Sequence, residues 1–181
     1  HSELDFWRWV CSWARACRKP SDLGFDDGKF ILPKLTTKEF LVQARVKSSE
    51  FLFDMPAVSL NEQRDERRRT LKERCEKAAS LVSAHKGSSV SWCSLNNEGD
   101  LLEQIIPDCV QVSGKNSDEE KEESFDAFQK GEIKNMITKP DIAGFGLNWQ
   151  HCNHQTYFPS HSFEQWYQCI RRSWRFGQKK P

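Results

Sequence analysis

The chain has 181 residues, 37% of them hydrophobic, which suffices for one domain with a sizeable core and a flanking segment. A formal net charge of +1 excludes a nucleic-acid protein that depends on overall basicity, and no apolar run reaches the about 18 residues of a membrane span. The seven cysteines form no Cys-x-x-Cys pair, which is typical of reduced thiols in a cytoplasmic protein, and we expect no membrane partner.

The chain starts with His rather than Met, and we interpret it as a fragment of a longer protein. Residues 5–17 mix aromatic and aliphatic side chains with arginines and predict a helix that ends before Pro20. Residues 20–35 carry turn signals and predict one short strand at 30–32.

A long amphipathic helix is predicted further along this first part of the chain. Residues 39–46 favour a strand and residues 50–53 a second short element. Residues 61–83 then place Leu71, Cys75, Ala78 and their neighbours on one apolar stripe, as a helix packed on a core requires. We therefore expect residues 1–84 to be a mostly helical connecting segment.

Strands and helices alternate from residue 85 to residue 181. The predicted strands are residues 89–95, 109–112, 133–138 and 155–158, and the predicted helices are residues 99–106, 117–129 and 163–174. Ser117 and the acidic residues after it are typical of a helix start, and Gly131 is typical of a helix end. This alternation predicts an α/β domain, with a parallel sheet, flanking helices and right-handed crossovers.

Two arginines near the C-terminus form a candidate anion site. Residues 168–178 read Gln-Cys-Ile-Arg-Arg-Ser-Trp-Arg-Phe-Gly-Gln, which places Arg172 and Arg175 three residues apart and, in a helix, on one face. A guanidinium is planar, always charged and forked, and so it suits phosphate oxygens. The alternative is a basic amphipathic helix end whose arginines lie in solvent.

A glycine-containing loop follows the third predicted strand. That strand ends at Thr138 and Lys139, and Gly144 and Gly146 follow closely. Glycines let the backbone approach a ligand, and the carboxyl ends of parallel strands are where open α/β sheets bind ligands. The alternative is an ordinary glycine-rich turn.

Together, residues 136–150 and 168–178 resemble motifs V and VI of the superfamily 2 helicases. The sequence pattern is closest to the SWI/SNF-type DNA translocases and, within them, to the phage and prophage branch. This resemblance implies the cytoplasm of a bacterium or of a phage-infected host cell. The resemblance covers residues 85–178 well and residues 1–84 weakly. It implies a RecA-like helicase domain 2, the second wall of a nucleotide cleft in a motor with two RecA-like domains.

The elements that hold the nucleotide in such a motor are missing from this sequence. It has no Gly-x-x-x-x-Gly-Lys-Ser/Thr loop and, on a predicted strand, no Asp-Glu-x-His or Asp-Glu-Ala-Asp run. The resemblance implies that ATP and Mg²⁺ are held mainly by an N-terminal RecA-like domain of the same full-length protein. We therefore expect this chain not to hydrolyse ATP alone.

The resemblance also implies roles for individual residues. Arg172 and Arg175 correspond to arginine fingers that reach the γ-phosphate, with Arg175 the first candidate. The residues expected on the nucleotide side of the cleft are Gly144, Gly146, Gln168 and Gln178. The residues expected to contact the backbone of duplex DNA are Thr138, Lys139, Ser113, Gly114 and Asn96, although each also fits a plain loop. Asp141 departs from the family pattern and places an acid beside this track.

Two other interpretations stay open. His151, Cys152 and His154, with His161 and Cys169, contain zinc-ligand types, but their spacing matches no standard zinc pattern, so we predict no metal and keep a metal-stabilised binding domain as the lesser alternative. The stronger alternative to a motor domain is a non-catalytic RecA-like module that binds protein or nucleic acid. Our principal interpretation is the second motor domain of an ATP-dependent DNA helicase or translocase.

Overall fold

The computed structural model describes residues 2–43, 59–144 and 146–181. Four parallel strands form one sheet in the order β2-β3-β1-β4, and they are β1 (Ser89–Trp92), β2 (Cys109–Gln111), β3 (Asn135–Thr138) and β4 (His154–Tyr157). The helices are α1 (Ser2–Trp13), α2 (Leu60–Arg69), α3 (Leu71–Ala84), α4 (Asn96–Ile105), α5 (Asp118–Lys130), α6 (Pro140–Ala143) and α7 (Phe163–Ser173). The predicted α/β fold, a parallel sheet with flanking helices after a mostly helical segment, is confirmed. No helix in the described ranges is long and apolar enough to cross a bilayer.

Both faces of the sheet are covered by apolar side chains. On one face Val90, Trp92 and Met136 pack with Phe128 of α5 and Trp149 of the β3–β4 connection. The other face joins the sheet to α3 and α4 through Cys75, Ala78, Ala79, Val82, Cys93, Leu102, Ile106 and Ile137. Burial of both faces is the rule for parallel sheets, since their crossover helices lie on either side. It accounts for the buried apolar residues of β1 and β3.

Local signals set the bounds of α5. The Ser117 hydroxyl accepts a hydrogen bond from the Glu120 amide at 3.2 Å, and the Glu120 carboxylate accepts one from the Ser117 amide at 3.0 Å. This reciprocal cap satisfies two amides that the first helical turn leaves unpaired. Gly131 ends the helix with a φ of 81°, a left-handed conformation that glycine adopts without strain. Both helix ends agree with the prediction.

The prediction of a strand at residues 30–32 is wrong. Gly28–Phe30 is a 3-10 turn, and Ile31 continues as extended chain that joins no strand of the described sheet. An isolated strand has no partner for its backbone groups, so β-propensity alone does not decide its state. Residues 39–43 also form no strand, and the rest of that prediction and residues 50–53 lie outside the described residues.

The single helix predicted at residues 61–83 is two helices that meet at Thr70. The Thr70 backbone has φ −93° and ψ 12°, and its hydroxyl donates to the Glu66 carbonyl at 2.7 Å. Arg74 donates to the Arg67 carbonyl across the junction. The Thr70 amide still donates to the Glu66 carbonyl at 2.9 Å, so these side-chain hydrogen bonds add to the backbone pairing where the two helices meet. Cys75 packs into the core as predicted.

Helix α4 begins at Asn96, three residues before the predicted start at Gly99. Glu98 Oε2 accepts hydrogen bonds from the amides of Ser94 and Leu95, each at 2.8 Å. A glutamate near the start of a helix stabilises that end because it binds amides that have no helical partner. Asn96 therefore lies at the first position of a helix rather than at the end of a strand.

Candidate functional site

Arg172 is buried in the last turn of α7, with 8% of its surface exposed. Its Nε and Nη2 donate to the carbonyl and side-chain oxygens of Gln168 at 3.0 and 3.1 Å, and its Nη1 donates to the Leu147 carbonyl at 3.2 Å. Burial, and then the nearby charge of Arg175, lower the pKa of Arg172. The side chain thus joins α7 to the connection between β3 and β4.

Arg175 lies beyond the helix, so the prediction that both arginines share one helix face is wrong. Helix α7 ends at Ser173, and Trp174 has a non-helical ψ of 79°. Arg175 nevertheless reaches the same point, because its Nη1 also donates to the Leu147 carbonyl at 3.2 Å. Within the described part of the chain, both guanidinium groups bind neutral oxygens and neither forms an ion pair.

The two predicted glycines shape the backbone immediately before Leu147. A Cβ on Gly144 would lie 2.3 Å from the Pro140 carbonyl oxygen, to which the Gly144 amide donates at 2.8 Å. Gly146 has a φ of 78°, in the left-handed region that favours glycine. The Trp149 amide also donates a hydrogen bond to the Arg172 carbonyl at 2.8 Å, so the β3–β4 connection and α7 are joined at a second point. Both glycines therefore help to place the carbonyl that the arginines share.

The two predicted glutamines bind within the protein. Gln168 accepts from Arg172 as described above. Gln178 is 7% exposed, and its Nε2 donates to the carbonyls of Cys152 and Ser173 at 3.0 and 3.3 Å. Its Oε1 accepts from the next two backbone amides, both at 3.0 Å. Their expected contact with a nucleotide stays a prediction.

The five residues predicted to contact nucleic acid all lie at or just beyond the carboxyl ends of β1, β2 and β3. Lys139 Nζ donates to Asn96 Oδ1 at 2.5 Å and so joins the first positions after β3 to the start of α4. The Ser113 amide donates to Asn116 Oδ1 at 2.9 Å in a turn that leaves Gly114 exposed. Thr138 is buried, and its hydroxyl has no partner among the described residues. The sheet therefore brings these five together at one edge.

Asp141 is held toward α7 in this structure. Its Oδ1 accepts a hydrogen bond at 2.7 Å from Gln165 Nε2, in the first turn of α7. The contact ties the short helix α6 to the helix that carries Arg172. The acid that departs from the family pattern is thus part of the contact between the β3–β4 connection and α7.

Sequence reasoning missed a buried ion pair behind this edge. Glu98 is 0% exposed, and its Oε1 lies 2.6 Å from Arg74 Nη1 of α3. Its other oxygen binds the two amides just before Asn96. A glutamate shortly after a loop is a helix-start signal that could have identified its cap role, whereas its arginine partner lies 24 residues away. Leu147 was missed because it contributes only a backbone carbonyl.

The histidine and cysteine residues near β4 serve packing. Cys152 and Cys169 belong to the apolar core, and burial raises the pKa of the Cys169 thiol to about 12. His154 stacks on His85 with ring centroids 4.7 Å apart, and His151 packs edge-on against Phe128. The residues that the structure describes contain no group of three or more side chains placed to hold a metal ion.

Comparison with known proteins identifies a family. The family described as "Helicase conserved C-terminal domain" matches residues 73–177, and no curated protein matches the chain. The structure is similar to the C-terminal part of the Fun30 ATPase domain, with a TM-score of 0.52 and 17% identity over 63% of this chain and 39% of that one. It is similar to S. cerevisiae Dbp5 bound to RNA and ADP BeF3, with a TM-score of 0.52 and 17% identity over 59% of this chain and 30% of that one.

A third similar structure is the C-terminal domain of the DEAD-box protein Dbp5. It has a TM-score of 0.50 and 17% identity over 60% of this chain and 66% of that one. At these identities the likeness shows the fold alone, and that fold is the RecA-like fold of helicase C-terminal domains, as predicted. This chain spans 39% and 30% of the first two structures' chains.

Proposed function

Because the chain belongs to the helicase conserved C-terminal domain family, we propose that it is the second motor domain of an ATP-dependent DNA translocase or helicase of the SWI/SNF type, in its phage and prophage branch. In this proposal residues 85–181 form the motor domain and residues 1–84 connect it to the first one. The first domain holds ATP and Mg²⁺ in the cytoplasm of a bacterium or a phage-infected cell. This chain closes the cleft and supplies the arginines.

The observation that carries the proposal is the pair of guanidinium groups at the Leu147 carbonyl. Arg172 and Arg175 donate to one oxygen atom from 3.2 Å each, and no carboxylate of the described residues neutralises them. Two like charges held this close form a site that an anion stabilises. A triphosphate fits this chemistry, since guanidinium groups bind phosphate oxygens with charge-assisted, often bidentate hydrogen bonds.

The two arginines differ in how far they are free to reach a phosphate. Arg172 is 8% exposed and uses three of its donors within the protein, so it holds the site together. Arg175 is half-buried, and among the described residues its side chain makes one hydrogen bond. Arg175 is therefore the proposed finger, and it stabilises charge on the γ-phosphate as ATP is cleaved. Such a finger contributes roughly 10³- to 10⁵-fold to kcat in other nucleotide hydrolases.

The carboxyl edge of the sheet is the proposed track for duplex DNA. It carries Lys139 and Asn96 in direct contact and the exposed Gly114 in the turn after β2. These groups offer an ammonium, an amide and a backbone N–H to phosphates, which suits sequence-independent binding. The similar Dbp5 structure was solved bound to RNA and ADP BeF3, which supports a nucleic-acid track on this fold.

The test is Arg175→Ala in the full-length protein. We expect DNA-stimulated phosphate release to fall at least about 10³-fold, the lower end of measured finger contributions. DNA affinity should stay nearly unchanged, because Arg175 lies apart from the proposed track. The matched control is Arg68→Ala, which removes the same charge from α2, where Arg68 is exposed and pairs with Asp65 at 3.3 Å.

A second function is favoured by the burial of Arg172. Its hydrogen bonds to Gln168 and Leu147 explain that residue as a structural link, with no nucleotide required. The chain would then be a non-catalytic RecA-like module that binds protein or nucleic acid. Absence of DNA-stimulated phosphate release from the wild-type full-length protein, or a full-length sequence without a phosphate-binding loop, would decide for this module. Unchanged release in the Arg175→Ala protein would instead show that Arg175 is not the finger of an active motor.

A further inference from the structure

Residues 28–33, here called the strap, dock on the turn that carries Arg175. The ring of Phe30 stacks on the ring of Phe176, with centroids 4.8 Å apart and an angle of 28°. The indole Nε1 of Trp174 donates to the carbonyl of Pro33 at 2.8 Å. The strap lies outside residues 73–177, the part of the chain that the helicase family matches.

These two contacts hold the two neighbours of Arg175. Residue 175 follows the end of α7, so regular helical bonding does not place it. Its turn is also held by the short-range backbone hydrogen bond from the Gln178 amide to the Arg175 carbonyl at 3.0 Å. Three long-range hydrogen bonds join the turn to the β3–β4 connection: Arg175 to the Leu147 carbonyl, Gln178 to the Cys152 carbonyl, and Gln150 to the Phe176 carbonyl. The strap contacts the turn from outside the β3–β4 connection, on both neighbours of Arg175.

The docked strap is loosely packed. Phe30 and Phe176 keep 51% and 52% of their surfaces exposed, and a cavity of about 600 Å³ lies between the strap and the turn. A small stacked contact beside a cavity is weaker than a filled core and separates more easily. Further along the same segment, Phe40 packs under Lys77 of α3, with Nζ 4.6 Å from the ring centroid. Residues 28–40 thus connect the turn that carries Arg175 with α3, the helix in which the helicase family match begins.

We propose that the strap positions Arg175, and that Phe30 is a positioning residue acting through Phe176. This inference rests on the proposed function, since it assigns the orientation of the arginine finger to a segment outside the helicase family match. When the strap is docked, the turn holds Arg175 at the Leu147 carbonyl. When it is released, the turn and the guanidinium lose that orientation, so the segment that leads into the domain controls the rate of hydrolysis.

The first arm of the test uses this chain alone and does not depend on ATP hydrolysis. Hydrogen exchange of the amides of residues 175–178 should rise about 2- to 10-fold in Phe30→Ala, the range that an aromatic pair contributes. Phe30→Tyr should keep the wild-type exchange because it keeps the stack. The matched control is Phe25→Ala, which removes a 69% exposed phenylalanine three residues before the strap. Unchanged exchange in Phe30→Ala would overturn the docking.

The second arm uses the full-length protein. Phe30→Ala should lower kcat for DNA-stimulated phosphate release about 2- to 10-fold, with KM for ATP unchanged and with recovery in Phe30→Tyr. Faster exchange together with an unchanged kcat would show that the strap holds the turn without positioning the finger. Absence of DNA-stimulated hydrolysis in the wild-type protein would instead overturn the proposed function and with it the positioning role, while the exchange arm still decides whether the strap docks.

Discussion

At the scale of single residues, the site depends on where buried charges find partners. Arg172 and Glu98 are both buried, yet they differ in their environment. Glu98 has a guanidinium partner and two backbone amides, whereas Arg172 binds only neutral oxygens among the residues that the structure describes. Complete partners offset the cost of burying a charge, and a buried charge without a counter-charge is a candidate for a site that meets a charged ligand.

Removing the charge of Glu98 should destabilise the domain. Glu98→Gln breaks the 2.6 Å pair with Arg74 and weakens the cap of α4. Breaking a buried pair typically costs roughly 3–5 kcal/mol, and we expect the lower end because Arg74 keeps some contact with water. Urea denaturation measures the free energy of unfolding. In the control Asp65→Asn, which breaks an exposed pair with Arg68, the free energy of unfolding should hardly change. An equal loss of free energy of unfolding in both variants would contradict this account.

At the scale of elements, the start of β4 is held against the end of α3 by stacked imidazoles. The His85 and His154 rings lie nearly parallel, with an interplanar angle of 15°, and Ser89 Oγ lies 3.1 Å from His154 Nδ1. Burial lowers the pKa of both histidines, and the charges of Lys180 and Lys134 lower that of His85 further. Asn153 acts in the opposite direction on His85 through a hydrogen bond. Burial of the contact therefore favours the neutral form of both rings.

The free energy of unfolding should fall in acid. Because both pKa values lie below the ordinary value of 6.5, the folded chain binds fewer protons than the unfolded chain at mildly acidic pH. Stability is thus fully present above about pH 6.5 and is lost as the pH falls through the folded pKa values. Urea midpoints measured between about pH 7.5 and pH 5 should show the decline.

The double variant His85→Gln/His154→Gln should lose much of this dependence. His161→Gln, a change at an exposed residue before α7, should keep it. A wild-type midpoint that stays constant over the same range would show that the stacked pair does not control acid stability.

At the scale of the whole molecule, the β3–β4 connection lies between the two proposed functional surfaces. The proposed DNA residues follow the carboxyl ends of β1, β2 and β3, and the arginine pair lies where α7 meets the β3–β4 connection. That connection starts beside Lys139 and includes Leu147, so it touches both surfaces. A change at one surface therefore has a short covalent route to the other.

Lys139→Ala in the full-length protein should weaken DNA binding at every sequence alike. Losing one phosphate contact should reduce, by about 1, the magnitude of the negative slope of log K for DNA binding against log salt concentration. The control is Lys130→Ala, at the far end of α5, where Lys130 pairs with Asp126. Fluorescence anisotropy over a salt series measures both slopes, and identical slopes for Lys139→Ala and the wild type would place the DNA elsewhere.

Much of the fold and part of the site could be predicted from local patterns. The alternation of elements, the cap at Ser117 and the end at Gly131 depend on residues close in sequence, and all three were predicted correctly. The order of the glycine loop and the paired arginines identified the family, since the spacing of a motif is a property of the sequence itself.

By itself, then, the sequence determined the class of fold, the family and the candidate arginines. Only the tertiary structure decided that residues 30–32 are no strand, that the predicted long helix breaks at Thr70, and that Arg175 lies beyond α7 yet meets Arg172 at Leu147. The physical reason is the range of the interactions. A cap or a helical period is satisfied within a few residues, whereas a strand needs a neighbour, and Arg175 reaches a carbonyl 28 residues away in sequence.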